Sequence, residues 1–490
     1  MSQLPILLLL PLLFGSVLAV LAGLWRPVAA QVVAVVATAS TLVLALIALV
    51  TVTRDGTLTH ELGGWPPPFG IEYVLDPLSA YMVALVALIG TMVVLYPTKA
   101  AFDLEPGRGV PLYPLALLLL TGLVGVMLSG DLFHLFVFLE IYAISTYALI
   151  SLGGDRAVFA SFRYLLLGTV GSGLYLLGVG FLYFSTGTLN MADVAAQLPD
   201  LAADPAILGS MGLIVLGLAL KMALFPLHVW LPDAHSYSPP GVAALLAAVQ
   251  VKAGAYALIR ILFDVYGPAY AGDGVPVDIA LTWFGAAGIV VGSVLAIQQT
   301  DVKRMLAYST VAQLGYIGLG IGLATPLALV GALLHVLNHA LMKAGLFLVA
   351  GGILQRTGLK EIARFAGLGK RMPLVMTGFA IAALSMVGIP PTAGFFSKFY
   401  LVSATVETGD WILATIVVGS SLLTAIYFLR LFERIFVLPP QEAVVAEAVE
   451  PEPRIVVTVG VLAAGVIAVG LGNAVIVRQV LRPVAEGLLG

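Results

Sequence analysis

Apolar runs of helix length recur along the whole 490-residue chain, with almost nothing polar between them. A bilayer core needs about 20 mostly apolar residues per helix, and by that measure about 14 spans are expected. They fall at approximately 4–24, 28–52, 77–96, 111–129, 131–152, 159–186, 208–230, 239–264, 277–299, 304–323, 326–354, 373–403, 410–436 and 455–482. Composition agrees: 60% of residues are hydrophobic and 10% charged, against about 25% charged in a soluble domain. The fold class is therefore an all-α polytopic membrane protein. The first run has no Lys or Arg before it, so it reads as a span rather than a secretory signal. Connections are short, and no soluble domain fits. The longest, 53–76, contains Pro66-Pro67-Pro68, and 438–454 reads as a flexible acidic loop carrying Glu442, Glu447, Glu450 and Glu452.

The net charge of −3 gives no sign of nucleic acid as a partner. With no cysteine in the chain, disulfides, thiolate metal sites and cysteine-ligated iron–sulfur clusters are excluded. Basic residues split between the two sides. Fifteen lie in or beside the odd-numbered loops, including Arg26, Lys99, Arg108 and the run Arg356 to Arg371. Four lie in the even loops and the C-terminal region: Arg54, Arg260, Arg478 and Arg482. The positive-inside rule puts the odd loops in the cytoplasm and both termini outside.

The other four basic residues, Lys221, Lys252, Lys343 and Lys398, sit inside predicted spans. One acid, Glu140, is well inside a span, and His335 and His339 are mid-span as well. Asp131 and Asp301 stand at helix starts, where a carboxylate caps the N-terminus. Charges within hydrocarbon are expensive and mark ion pathways or structural pairs.

Two spans are interrupted. In the first, Lys221 is followed by Pro226; in the second, Pro390 and Pro391 precede Lys398. Counted in fives from 111 and from 277, the broken span is the fourth of each set. A five-span repeat inserts upside down relative to its copy, which is the organisation of inverted-repeat transporters with their sites at broken helices. The expected domains are three N-terminal spans (1–110), a first inverted repeat forming a proton half-channel (111–264), a second (277–436), and an acidic loop with the last span (437–490).

An acid and a lysine in a poorly solvated place form a switch. Together each stabilises the other's charged form; apart, the lysine releases a proton and the acid takes one up. His335, His339 and Lys343 stand at i, i+4 and i+8 on one helix face with Asn338 beside them, a row that can pass a proton through waters. The same spacing suits a metal, but no carboxylate or cysteine accompanies it, so no metal and no cofactor are expected. Plainer readings exist. The lysines can bond carbonyls freed at the breaks, the histidines can join helices, and His228 and His235 can be merely interfacial. Gly288/Gly292 and Gly318/Gly322 read as close-packing faces.

Lys221-Met-Ala-Leu-Phe-Pro-Leu-His-Val-Trp-Leu-Pro-Asp-Ala-His235 resembles the signature of the antiporter-like subunits shared by respiratory complex I, membrane-bound hydrogenases and Mrp-type sodium/proton antiporters. So do Val251-Lys252-Ala-Gly-Ala-Tyr, Asp301-Val-Lys-Arg-Met-Leu-Ala-Tyr-Ser309, His335-Val-Leu-Asn-His-Ala-Leu-Met-Lys343 and Gly388-Ile-Pro-Pro-Thr-Ala-Gly-Phe-Phe-Ser-Lys398. The resemblance covers roughly 75–435. It implies 14 helices with two inverted five-helix repeats, each with one broken helix, and a multisubunit complex in a prokaryotic inner membrane. It makes Glu140 and Lys221 the pair of the first half-channel and Lys252 the connecting lysine. His335, His339 and Lys343 would lie on the central axis, with Lys398 the terminal lysine of the second half-channel. The chain lacks the long lateral helix of the largest complex I subunit. It looks most similar to the D-type member of Mrp antiporters, so the expected function is proton translocation coupled to sodium. The expected partners are the other membrane subunits, protons, sodium and the lipid bilayer. The alternative is a proton-pumping subunit of a complex I-like or hydrogenase redox complex.

Overall fold

The computed structural model describes residues 3–96, 111–201, 204–267 and 275–490. Lys99 and Arg108, two of the expected cytoplasmic cations, lie outside the described residues. Helices occupy all the positions where spans were expected. In chain order they are α1 (Leu4–Trp25), α2 (Pro27–Asp55), α3 (Pro77–Leu95), α4 (Leu112–Leu128), α5 (Leu132–Ser151), α6 (Asp155–Thr186) and the short α7 (Met191–Gln197). Next come α8 (Pro205–Met222), the short α9 (Leu231–Tyr237), α10 (Pro240–Val265), α11 (Val277–Ile297), α12 (Val302–Leu323) and α13 (Pro326–Thr357). Then come α14 (Pro373–Val387), α15 (Ala393–Glu407), α16 (Trp411–Val437) and α17 (Pro453–Leu471), followed by further helical turns that end in the short helix Arg482–Leu489. Among the described residues twelve helices are long and apolar enough to cross a membrane; α4 and α14 are apolar but shorter. Several helices begin at a proline, whose missing N–H and fixed φ suit the first turn. The interior is formed by α10, α12 and α13, which are almost wholly enclosed. The faces of α2, α6, α16 and α17 turn outward. That outward surface is apolar, as a lipid-facing surface must be.

The same hydrogen-bond pattern occurs twice. Asp131 caps α5 by accepting from His134 N at 2.7 Å, and Asp301 caps α12 by accepting from Arg304 N at 3.0 Å. Leu132 N donates to Leu189 O at 2.9 Å and Met191 N to Gly130 O at 2.9 Å. Val302 N donates to Lys360 O at 3.0 Å and Ile362 N to Thr300 O at 2.9 Å. In each set the second helix of five is thereby tied to the loop after the third. The caps expected at Asp131 and Asp301 are present, and the glycine faces pack closely. Gly288 lies against Phe225 and Gly315, Gly292 against Ala312, and Gly322 against Thr282.

One loop holds structure that the sequence did not specify, and another differs from expectation. The 53–76 connection holds a two-stranded antiparallel hairpin, β1 (Leu58–Glu61) with β2 (Glu72–Leu75), paired Leu58 to Leu75 and Glu61 to Glu72. Strands of four residues carry too little alternation to be read from sequence. The 438–454 segment is tied down rather than flexible. Glu442 pairs with Arg364 at 2.7 Å, Glu450 accepts from Leu374 N at 2.5 Å, and Glu452 accepts from Gln355 at 3.4 Å. Three of the four acidic residues of this loop, Glu442, Glu450 and Glu452, are its anchors.

Candidate functional site

The first break lies where α8 stops at Met222. Ala223 takes a left-handed conformation, φ 58°, and the chain turns through Pro226 before α9. A proline ring clashes with the carbonyl four residues back. For Pro226 that carbonyl belongs to Met222, so the helix ends there and not at the proline itself. The carbonyls released are taken up locally: Trp230 Nε1 donates to Leu220 O at 3.1 Å and Leu224 N to Ala219 O at 2.9 Å. Lys221 is left in the last turn, fully buried. The second break has the same form. α14 ends at Val387, Gly388 is left-handed with φ 95°, and α15 begins at Ala393 after Pro390 and Pro391.

Lys221 Nζ lies 3.2 Å from Glu140 Oε1. Glu140, on α5, also accepts from the Ser172 hydroxyl of α6, and the Tyr142 ring lies 5.8 Å from the ammonium. Three helices thus meet at one ion pair whose lysine is enclosed and whose acid keeps 27% of its side chain exposed. While the pair is closed each group stabilises the charged form of the other.

The other candidates are buried without counter-charges among the described residues. Lys252 donates to Ala247 O within its own helix, beside the π-helical turn Leu246–Gln250. Lys343 donates to Leu306 O at 2.6 Å and to Ser309 Oγ at 2.5 Å on α12. His335 Nδ1 lies 3.0 Å from Ser397 Oγ, next to Lys398 in the chain. The His335 and His339 rings stand nearly parallel with centroids 6.0 Å apart. Lys398 donates to Met386 O at 3.0 Å, Val387 O at 3.2 Å and Ser421 Oγ at 3.2 Å, with its ammonium over the Tyr316 ring at 4.9 Å. For Lys398 the plain reading of a cation on carbonyls freed by the break is what the geometry contains; Lys221 instead has an acid.

Among the described residues, only Glu140 and Lys221 of the sequence-selected set touch by a direct side-chain hydrogen bond. His235, weighed as interfacial, is fully buried, and neither ring nitrogen has a partner among the described residues. Ser172, Ser309, Gln250 and Gln313 were not singled out from the sequence. Neutral polar residues are common in helices, and none of these four stands three or four residues from a charged one, so no signal in the sequence marks them. At one end of the two sets, Asp233 of α9 binds Arg163 of α6 at 2.5 Å and Arg304 of α12 at 3.2 Å, joining both halves.

Residues 129–424 match the family described as "NADH:quinone oxidoreductase/Mrp antiporter, TM". The chain belongs to that family. Family members include NADH-quinone oxidoreductase subunit N of Desulforudis audaxviator, 47% identical over 443 residues and covering 88% of each chain. The D-type Na(+)/H(+) antiporter subunit of Alkalihalophilus pseudofirmus is 34% identical over 438 residues, 88% of this chain and 86% of that one. A chain of an archaeal respiratory membrane complex, the membrane-bound sulfane sulfur reductase, superposes with a TM-score of 0.91. It is 31% identical and covers 99% of this chain and 98% of that one. The family expectation from the sequence is met, and the chain is a multi-pass antiporter-like membrane subunit of the Mrp and complex I-like class. The motifs alone favour the D-type antiporter subunit; the 47% relative bears the name subunit N, so the redox-complex paralogue is at least as well supported.

Proposed function

We propose that this chain moves protons across a prokaryotic cell membrane as one membrane subunit of a redox-driven, complex I-like assembly. The observation that carries the proposal is the ion pair Lys221–Glu140, 3.2 Å long, buried where α8 breaks. Closing the pair favours both charges; opening it releases a proton from Lys221 and lets Glu140 take one up. Lys252, the row His335, His339 and Lys343, and Lys398 then carry the proton along the enclosed helices α10 and α13 to α15. In this reading α4 and α14 also cross, giving fourteen spans. Residues 111–264 and 277–436 are the two inverted half-channels, 1–110 the flanking three spans and 437–490 the closing span. Both termini lie outside. The recurring Asp131 and Asp301 patterns support the repeat.

The 47% identity to a subunit N favours the redox assembly. Without cysteine or a nucleotide-binding motif in this chain, oxidation and reduction would belong to partner subunits. A second reading, the sodium/proton antiporter, is favoured by the D-type antiporter relative at 34% identity. Affinity purification through this chain, with mass spectrometry of the subunits that accompany it, separates the two. Iron–sulfur or flavin subunits are expected. A complex of small hydrophobic subunits alone would overturn the redox assignment in favour of the antiporter.

A further inference from the structure

Helices α12 and α13 run antiparallel, and three contacts set their register. Ser309 of α12 meets Lys343 of α13 by a hydrogen bond of 2.5 Å. Tyr316 meets His335, ring centroids 5.2 Å apart. Gly320 packs directly on Ala332. Ser309, Tyr316 and Gly320 therefore share the face of α12 that looks at α13. One residue between Ser309 and Tyr316 belongs to that face by the i, i+4 and i, i+3 spacing of a helix: Gln313. On α13 the residue at the matching place between Lys343 and His335 is His339. The register thus sets Gln313 opposite His339.

Both side chains are fully enclosed. Neither amide atom of Gln313 and neither ring nitrogen of His339 has a hydrogen-bond partner among the described residues. The same holds for Asn338 Oδ1 and His335 Nε2 on neighbouring turns. Four polar atoms without partners among the described residues thus lie on facing turns, with His335 Nε2 one turn away, while the Asn338 amide turns to Ala393 O of α15. A buried polar atom left unpartnered loses its hydration without compensation, so native interiors supply a partner. The remaining partner small enough is water, which needs two to four polar contacts to be held.

We propose that Gln313 and His339 hold an ordered water midway along the α12–α13 seam. This water links Lys343 to the His335–Ser397–Lys398 end of the chain. Resting on the proton-carrying function proposed above, the inference makes Gln313 a positioning residue: it carries no charge and fixes the water that passes the proton. Lys343 and Lys398 are otherwise separated, each satisfied by carbonyls and serines of its own surroundings. His335 reaches Ser397 but not His339 by hydrogen bond, so the gap falls where the orphaned atoms lie.

The test uses the assembled complex in vesicles, with translocation expressed per assembled complex, for Gln313→Leu, Gln313→Ala and Lys221→Ala. Leucine fills the side chain's space without polar atoms; alanine leaves room for a water. The expected result is about a tenfold loss for Gln313→Leu, equivalent to about 1.4 kcal/mol, and a smaller loss for Gln313→Ala. A packing role predicts the reverse order, because alanine leaves a cavity that leucine does not. Wild-type rate in Gln313→Leu, or alanine worse than leucine, overturns the inference if Lys221→Ala is inactive. An active Lys221→Ala overturns the underlying function instead. If Gln313→Leu does not assemble, high-resolution electron cryomicroscopy of the native complex decides. Density for a water between Gln313 and His339 is expected, and its absence overturns the inference.

Discussion

A lysine at the centre of a membrane helix costs about 2.5–3.5 kcal/mol on insertion scales. Lys221, Lys252 and Lys343 are fully buried here and Lys398 nearly so. Lys221 is the one of these with an acid within bonding distance among the described residues. Removing one partner of a buried pair costs about 3–5 kcal/mol. Because Glu140 keeps 27% exposure, the loss in Glu140→Gln belongs at the lower end of that range. Replacing Lys221 by Met as well should return part of it, since no unpaired charge is then left. Thermal unfolding of the purified complex measures this cycle; strictly additive losses would show that the two side chains do not interact. The charged residues were legible because charge is rare in apolar spans and can be counted. Gln313, Ser172 and Ser309 were not, because a neutral polar residue in a helix is ordinary until its packing face is known.

At the scale of elements, the breaks organise the molecule. The prolines located them to within a few residues, yet α8 stops four residues before Pro226, at the carbonyl its ring would strike. Ala223 holds the turn with φ 58°. A left-handed conformation costs a residue with a Cβ about 1–2 kcal/mol and glycine very little. Ala223→Gly should therefore raise the unfolding temperature modestly, and Ala223→Val should lower it and reduce the yield of assembled complex. Equal stability of the glycine and valine variants would argue that the turn is not strained. The short hairpin β1–β2 had no periodic signature long enough to read, whereas spans of about 20 apolar residues did.

For the whole molecule, the acidic loop is a strap across one end of the bundle. Hydrogen bonds from Arg364 hold the Glu442 carboxyl below the usual glutamate range, with burial opposing. A carboxyl depressed in the folded state contributes stability above its unfolded value and loses it as pH falls through the folded value. Limited proteolysis of 438–454 should thus accelerate below roughly pH 4.3, the ordinary glutamate value, and Arg364→Ala should show the fast rate already at neutral pH. An unchanged cleavage rate in that variant would mean that Glu450 and Glu452 hold the strap alone. The helix positions were visible in the sequence because hydrophobic runs fix them; twelve of the described helices have the length and apolarity of a span. The strap was misread as free because its acids find partners more than seventy residues away, in elements that only the fold brings near.

In the proposed function, protons cross this chain through the Glu140–Lys221 pair at the first break. The most direct measurement is proton translocation by vesicles containing the assembled complex, driven by that complex's own reaction, with native chain and with Lys221→Ala at equal assembly. Lys221→Ala is expected to lose at least about nine-tenths of the proton flux, a tenfold change. Flux at the native rate in Lys221→Ala would contradict it.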